Sequence, residues 1–215
     1  MVSPRFKKFR WFYVFLFLSI VFDLAGCSRT AACLDPLGCV ELAPGQSLTV
    51  GVAVPLTGPD RTAGAAALAA IQAQADQTKS ILGHGLFIQK TDFNCAGETS
   101  RTAAERLTGD ETLAGVISSS CILESAASQQ VFGNAGIIVI TRADPHSHPV
   151  PSRGIVQIAP QNAAASPEID AEFAIRAVRD LLQAVSRVAI QQPDGSLLIP
   201  RQALENRLQL SSQAD

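Results

Sequence analysis

From Leu48 to Ile140 the chain repeats one pattern three times: an apolar run of β-type composition, a small polar loop, then an Ala-rich stretch with apolar residues at helical spacing. A fourth apolar run closes the series. The runs are Leu48 to Leu56, Leu86 to Phe93, Leu113 to Ser118 and Gly136 to Thr141. Near-continuous apolarity, in place of strict alternation, marks strands covered on both faces, as in a parallel sheet. Parallel neighbours need long crossovers. Arg61 to Leu82, Glu98 to Leu107 and Leu123 to Phe132 supply them as helices, with Thr99 or Ser100 able to cap the second. The predicted fold class is therefore α/β, a three-layer parallel sheet flanked by helices. In such sheets ligands bind outside the carboxyl ends of the strands, near the point where strand order reverses. That directs attention to the loops Thr57 to Asp60, Asn94 to Gly97, Ser119 to Leu123 and Thr141 to His146.

Ahead of this lobe, Arg5, Lys7, Lys8 and Arg10 form a basic segment, and Trp11 to Phe22 form an apolar run. At roughly a dozen residues the run is short for a bilayer span and has the form of a signal peptide. It ends in Leu24-Ala25-Gly26-Cys27, which resembles the bacterial lipobox, where the cysteine is diacylated and becomes the new N-terminus after cleavage. Residues 1–26 then read as a lipoprotein signal peptide, Cys27 as the lipidation site, and 27–46 as a tether with a small Cys loop. An ordinary signal peptide or a short anchor with a chance cysteine is the alternative. At about 0.8 kcal/mol per buried CH₂, the several chains of a lipoprotein would hold it firmly to the membrane.

The chain carries 17 basic and 19 acidic residues; cleavage removes four and one of these, leaving 13 and 18, a net charge of −5 in place of −2. Nucleic acid is not the partner such a surface attracts. The same cut removes the single Trp, the single Tyr and six of the ten Phe, leaving Phe87, Phe93, Phe132 and Phe173. Cysteine use fits an exported protein: with Cys27 acylated, the other four pair as Cys33 with Cys39 and Cys95 with Cys121. Closing the second, longer loop contributes about 3 kcal/mol. The rival use of these thiols is a metal site shared with His84, His146 or His148, for which there is no CxxC or HxxxH spacing.

Val50 to Gly58 (VGVAVPLTG), Asp92 to Gly97 (DFNCAG), Val116 to Cys121 (VISSSC) and Ala135 to Thr141 (AGIIVIT) together resemble the branched-chain amino acid substrate-binding proteins of ABC transporters, which are type I periplasmic binding proteins. Cys33 to Cys39 (CLDPLGC) running into Pro44-Gly45 is similar to a lipoprotein subgroup of that family, and the Cys95 to Cys121 spacing resembles the family's first-lobe disulfide. The resemblance implies an extracytoplasmic, lipid-anchored solute-binding protein with an ABC importer permease as partner and a small amino acid or amide as ligand, and with no cofactor. It also implies a grip on the ligand by hydroxyls and backbone amides, which places ligand binding on Thr57, Gly58, Ser120, Ile122, Thr141 and Ala143. Ile122 and Leu123 stand where the family carries Ser or Gly, and Pro145 where it carries Thr. Arg142 or Arg153 is then a candidate carboxylate partner, with solvated surface arginines as the plainer reading.

The family crosses into its second lobe after a segment like Val156 to Pro160, and only about 55 residues follow here. Asp170 to Val185 reads as one amphipathic helix, and Asp194 to Leu204 as a turn, a short strand and a helix. The expectation is one lobe over 47–160 and a residual second-lobe or C-terminal appendage over 161–215, with the centre of the second lobe missing; alternatively, Ala171 to Ile190 opens a second lobe that is cut short. A degenerate one-lobe remnant or interaction module is the alternative to a working transporter subunit. Ser118-Ser119-Ser120-Cys121 has no G-x-S-x-G setting and implies no enzyme. His146 and His148 read as solvated loop residues, and Gly83-His84-Gly85 as the turn ending the first helix.

Overall fold

The computed structural model describes residues 32–94, 97–143, 154–158 and 171–213. The four apolar runs become strands of a six-stranded sheet, β2 (Leu48–Val54), β4 (His84–Asp92), β5 (Leu113–Ser118) and β6 (Val139–Arg142); β7 (Ile155–Ile158), in the segment expected to lead into a second lobe, adds a fifth strand, and the two-residue β3 (Ser80–Ile81) lies at one edge. Its order is β3-β4-β2-β5-β6-β7, and every pair is parallel except β3 with β4. The chain starts at β2, steps outward to β4, then returns past β2 to β5. That reversal places the topological switch point between the carboxyl ends of β2 and β5. Every residue of β2 and β5 is buried, as strands covered on both sides require.

Two packed layers cover the sheet. On one face α1 (Arg61–Thr78) supplies Ala67, Leu68 and Ile71, and α4 (Ala171–Val188) supplies Phe173, Val178, Leu181 and Val185 to a common core. On the other, α2 (Gly97–Thr108) supplies Ala103, Ala104 and Leu107 and α3 (Ala126–Asn134) supplies Phe132 to a second cluster around Val116 and Val139. The three-layer α/β lobe expected from the periodicity is the fold observed. Among the described residues no helix is long and apolar enough to cross a membrane.

Several boundaries differ from expectation for local reasons. The first helix stops at Thr78, not Leu82, because Lys79 turns to φ 58 while its N–H still bonds Ala75 O at 2.8 Å. The chain then forms the hairpin β3–β4, with Leu82 and Gly83 both at positive φ. The second helix starts at Gly97, ahead of the expected caps. Ser100 is consequently a buried position inside it, with a hydroxyl that finds no partner among the described residues. The third splits into a 3-10 turn, Ser120–Glu124, and α3, because Ile122 turns into the core and Ser125 interrupts the helix. The last strand run begins at Val139, three residues late, since Gly136 at φ 63 is a turn pressed against Leu37 O.

The C-terminal segment packs onto this same lobe. Helix α4 lies along α1, and a side chain at Gly115 of β5 would meet Leu181 at 3.4 Å. The chain ends in β8 (Ile190–Gln191), β9 (Leu197–Pro200) and α5 (Arg201–Gln213). Strand β9 pairs antiparallel with both β8 and β1 (Cys39–Leu42), so the Cys loop leads into a three-stranded sheet as well as preceding β2. Cys33 and Cys39 form the expected disulfide.

Candidate functional site

Three loops meet the switch point. After β2 the chain reads Pro55-Leu56-Thr57-Gly58, and the last residue of β4, Asp92, organises it. One carboxylate oxygen of Asp92 accepts the N–H groups of Leu56 and Thr57 at 2.7 and 3.3 Å, and the other accepts the Thr57 hydroxyl at 2.5 Å. Burial works to raise the Asp92 pKa, but these three donors outweigh it and hold the carboxyl below its ordinary value. A carboxylate at this position therefore stays ionised and fixes the loop. Gly58 follows at φ 79 with none of the described residues within 4 Å of where a side chain would begin. Behind it, Gly64 of α1 lies so close to Pro55 that an added Cβ would sit 1.8 Å from Pro55 O, which presses the helix onto the end of β2.

The loop after β5 is tied inward. Ser119 N–H donates to Ala53 O at 3.3 Å, and Ser119 O accepts the Ile122 N–H at 3.3 Å and the Thr141 hydroxyl at 3.1 Å. The carbonyls of Ile122 and Leu123 accept from the Gln129 side-chain amide at 3.0 and 2.8 Å, which locks the 3-10 turn onto α3. The Ser119 hydroxyl lies 3.1 Å from Cys121 Sγ, and Cys121 is disulfide-bonded. Cys95, the partner expected for it, lies outside the described residues. At the third loop Ala143 N–H donates to Ile158 O at 2.9 Å and so closes the end of β6 against β7.

The six expected ligand residues thus share one rim but do not play one role. Thr57 and Gly58 are exposed, and Ser120 and Ala143 are half-buried. Ile122 is wholly buried in the cluster with Phe93 and Phe132, so its side chain is a core element that does not face a ligand; its N–H is already spent on Ser119. Thr141 is also wholly buried, and its hydroxyl points to Ser119 O. Arg142 is buried, while Arg153, His146 and His148 lie outside the described residues, as does Cys27. His84 is at the other end of the sheet, buried, with Nδ1 2.8 Å from Gln46 O. Among the described residues no group of three His, Cys, Asp or Glu could hold a metal ion.

Two residues were named in the sequence reading without the role they have here. Asp92 was visible inside the run Leu86 to Phe93 and at the head of the motif Asp92 to Gly97 but was given no role, although a carboxylate closing a buried strand is itself a sign that a neighbouring loop needs an acceptor. Ser118, weighed in the sequence only as part of the Ser118 to Cys121 run, is wholly buried at the end of β5 with a hydroxyl that has no partner among the described residues.

The fold defines a doubly wound α/β lobe with a polar rim at its strand-order reversal. No family model matches the chain, and no curated protein does. Among solved structures it is similar to a leucine-binding protein of Thermotoga maritima (17% identity, TM-score 0.44, covering 52% of this chain and 32% of that one). A fatty acid ABC transporter substrate-binding protein from Thermomonospora curvata gives 17% identity and a TM-score of 0.45 over 55% of this chain and 31% of that one. A putative branched-chain amino acid ABC transporter from Rhodospirillum rubrum gives 20% and 0.43 over 77% and 47%. The match spans about a third of the first two relatives' length and about half of the third's.

Proposed function

We propose that this chain is an extracytoplasmic solute-binding lipoprotein of an ABC importer for branched-chain or related amino acids, anchored by lipid on Cys27 and delivering to a permease. The observation that carries the reading is the rim at the switch point, where the sheet opens Thr57, Gly58 and the ionised Asp92 to solvent. The sequence resemblance over the four strand-end motifs supports the same class. In this reading the ligand's ammonium meets Asp92 and the Thr57 oxygen, and Ser120 and Ala143 line the other side. Thr141 acts from behind, by holding Ser119. The chain is a binding protein and not an enzyme.

A second reading has its own support. Thr141 and Ile122 are turned inward, so the rim offers fewer donors to a carboxylate than the motif resemblance implies, and an ionised group left unpaired is costly. A lobe that exposes this rim without tight ligand binding would be an interaction module. Isothermal calorimetry with the standard amino acids and their amides separates the two. Saturable heat with leucine, isoleucine or valine, reduced in Asp92→Asn, supports the solute-binding reading; no heat across the panel refutes it in favour of the module.

A further inference from the structure

We infer that the solute taken at this rim is a primary ammonium compound with no carboxylate beside its nitrogen, such as an alkylamine or an amino acid amide, and that Asp92 and Thr57 cradle its ammonium. The inference rests on the solute-binding reading and narrows the chemistry of the ligand.

A zwitterion needs two kinds of partner, acceptors for its ammonium and donors for its carboxylate. The rim keeps the first kind open and spends the second on itself. Leu56 and Thr57 give their N–H groups, and Thr57 also its hydroxyl, to Asp92. The Ser119 N–H goes to Ala53 O, the Ile122 N–H and the Thr141 hydroxyl both go to Ser119 O, and the Ala143 N–H goes to Ile158 O. A carboxylate arriving at these donors would have to break one bond to gain one. Arg142, at the end of β6, is only 3% exposed, so its guanidinium is closed to a solute.

The acceptors are arranged differently. An ionised carboxylate has about four lone-pair sites. At Asp92 one oxygen accepts two N–H groups and the other accepts the Thr57 hydroxyl, so the second oxygen can take one more donor. Thr57 Oγ1, having given its hydrogen, keeps its lone pairs. The two oxygens stand 2.5 Å apart, on an exposed Thr57 and a half-buried Asp92. An ammonium, with its several N–H donors in a compact head, can bind both oxygens at once.

Charge at the rim points the same way. The first turn of a helix favours an anion, and α1 and α2 both begin here. Acids of this chain already stand at both places: Asp60 is the N-cap residue of α1, and Glu98 lies in the first turn of α2. Arg101, exposed on α2, is bound by Glu98 and Glu105, and Arg61 directly follows Asp60. A carboxylate one carbon from the bound nitrogen would lie roughly 5 Å from that of Asp92, where repulsion between like charges near a surface costs on the order of tenfold in affinity.

Four ligands sharing one branched side chain provide the test: leucine, leucinamide, isopentylamine, which lacks the carboxylate, and isocaproate, which lacks the ammonium. Isothermal calorimetry is run at neutral pH on the full-length protein in a nonionic detergent. Isopentylamine and leucinamide should bind at least about tenfold more tightly than leucine, and isocaproate should give no heat. A preference nearer one than ten, or saturable binding of isocaproate, overturns the inference and leaves the solute-binding reading standing. Silence from all four, and from the other standard amino acids and their amides, refutes that reading and the inference with it. Thr57→Val keeps the shape and removes the hydroxyl; it should weaken isopentylamine by about fivefold or more, and Thr57→Ser should restore the affinity. An unchanged affinity in a folded Thr57→Val protein, checked by circular dichroism, overturns the cradle. If that variant does not fold, the ligand series on the parent protein decides.

Discussion

Asp35→Ala should destabilise the whole lobe by about 2 kcal/mol, although residue 35 lies outside both core clusters. The side chain accepts two N–H groups in the first turn of α5, across more than 160 residues of chain. Losing an N-cap acceptor costs about 1 kcal/mol, and removing negative charge from a helix N-terminus adds roughly 0.5 kcal/mol. The remainder comes from Arg201, which is 8% exposed. Burial lowers its guanidinium pKa and the charge of Asp35 opposes that, so without Asp35 a buried cation loses its nearest countercharge. Asp35→Asn keeps one acceptor oxygen and should cost about half as much. The disulfide enters the same account. Closing a seven-residue loop constrains the unfolded chain by about 2 kcal/mol. If the disulfide also works by presenting Asp35, then Asp35→Ala combined with Cys33→Ser and Cys39→Ser should cost less than the separate losses added together. Equilibrium urea unfolding followed by circular dichroism measures each variant. An Asp35→Ala midpoint matching the parent, or strict additivity with the disulfide variant, would refute the clamp.

Three further outcomes follow from other contacts. The Asp92 carboxyl has a lower pKa folded than unfolded, so its contribution is complete above the ordinary carboxylate range near pH 4 and is lost as pH falls through the folded value. The stability difference between the parent and Asp92→Asn should therefore shrink only in acid; a difference that persists unchanged to pH 2 would show that Asp92 does not act as an ionised acceptor. Gly64→Ala places a methyl against the Pro55 carbonyl, which as backbone cannot swing aside, and should cost about 3 kcal/mol or prevent folding; a neutral result by thermal melting would mean that α1 does not press on β2 as described. Leu181→Ala empties a wholly buried site over Gly115 and should cost 2 to 5 kcal/mol in one cooperative transition of the lobe; a separate transition for α4 would show that the C-terminal helix is not part of this core.

The sequence by itself determined the layers. Short continuous apolar runs of β-type composition read as strands buried on both faces, and Ala-rich stretches at helical spacing between them as crossovers, so an α/β lobe and the loops at its rim were readable from pattern, length and composition together. The short Cys33–Cys39 pairing was readable too, because six intervening steps bring those thiols together in almost any fold. What tertiary structure alone decided was the direction and partners of individual groups. Ile122 in a rim loop and Thr141 near the end of β6 both point inward, and nothing in their spacing distinguishes a hydroxyl that serves Ser119 from one that serves a solute. Asp35 and Asp92 look like ordinary loop carboxylates in one dimension. Only the folded chain brings one to the start of α5 and the other beneath Thr57, because hydrogen-bond donors left open at a helix end or a loop are satisfied by whatever acceptor packing delivers. The same holds for the C-terminal segment: its amphipathic stripe demands an apolar partner, but the identity of that partner, α1 and the sheet of this lobe, is fixed by contacts that lie far apart along the chain.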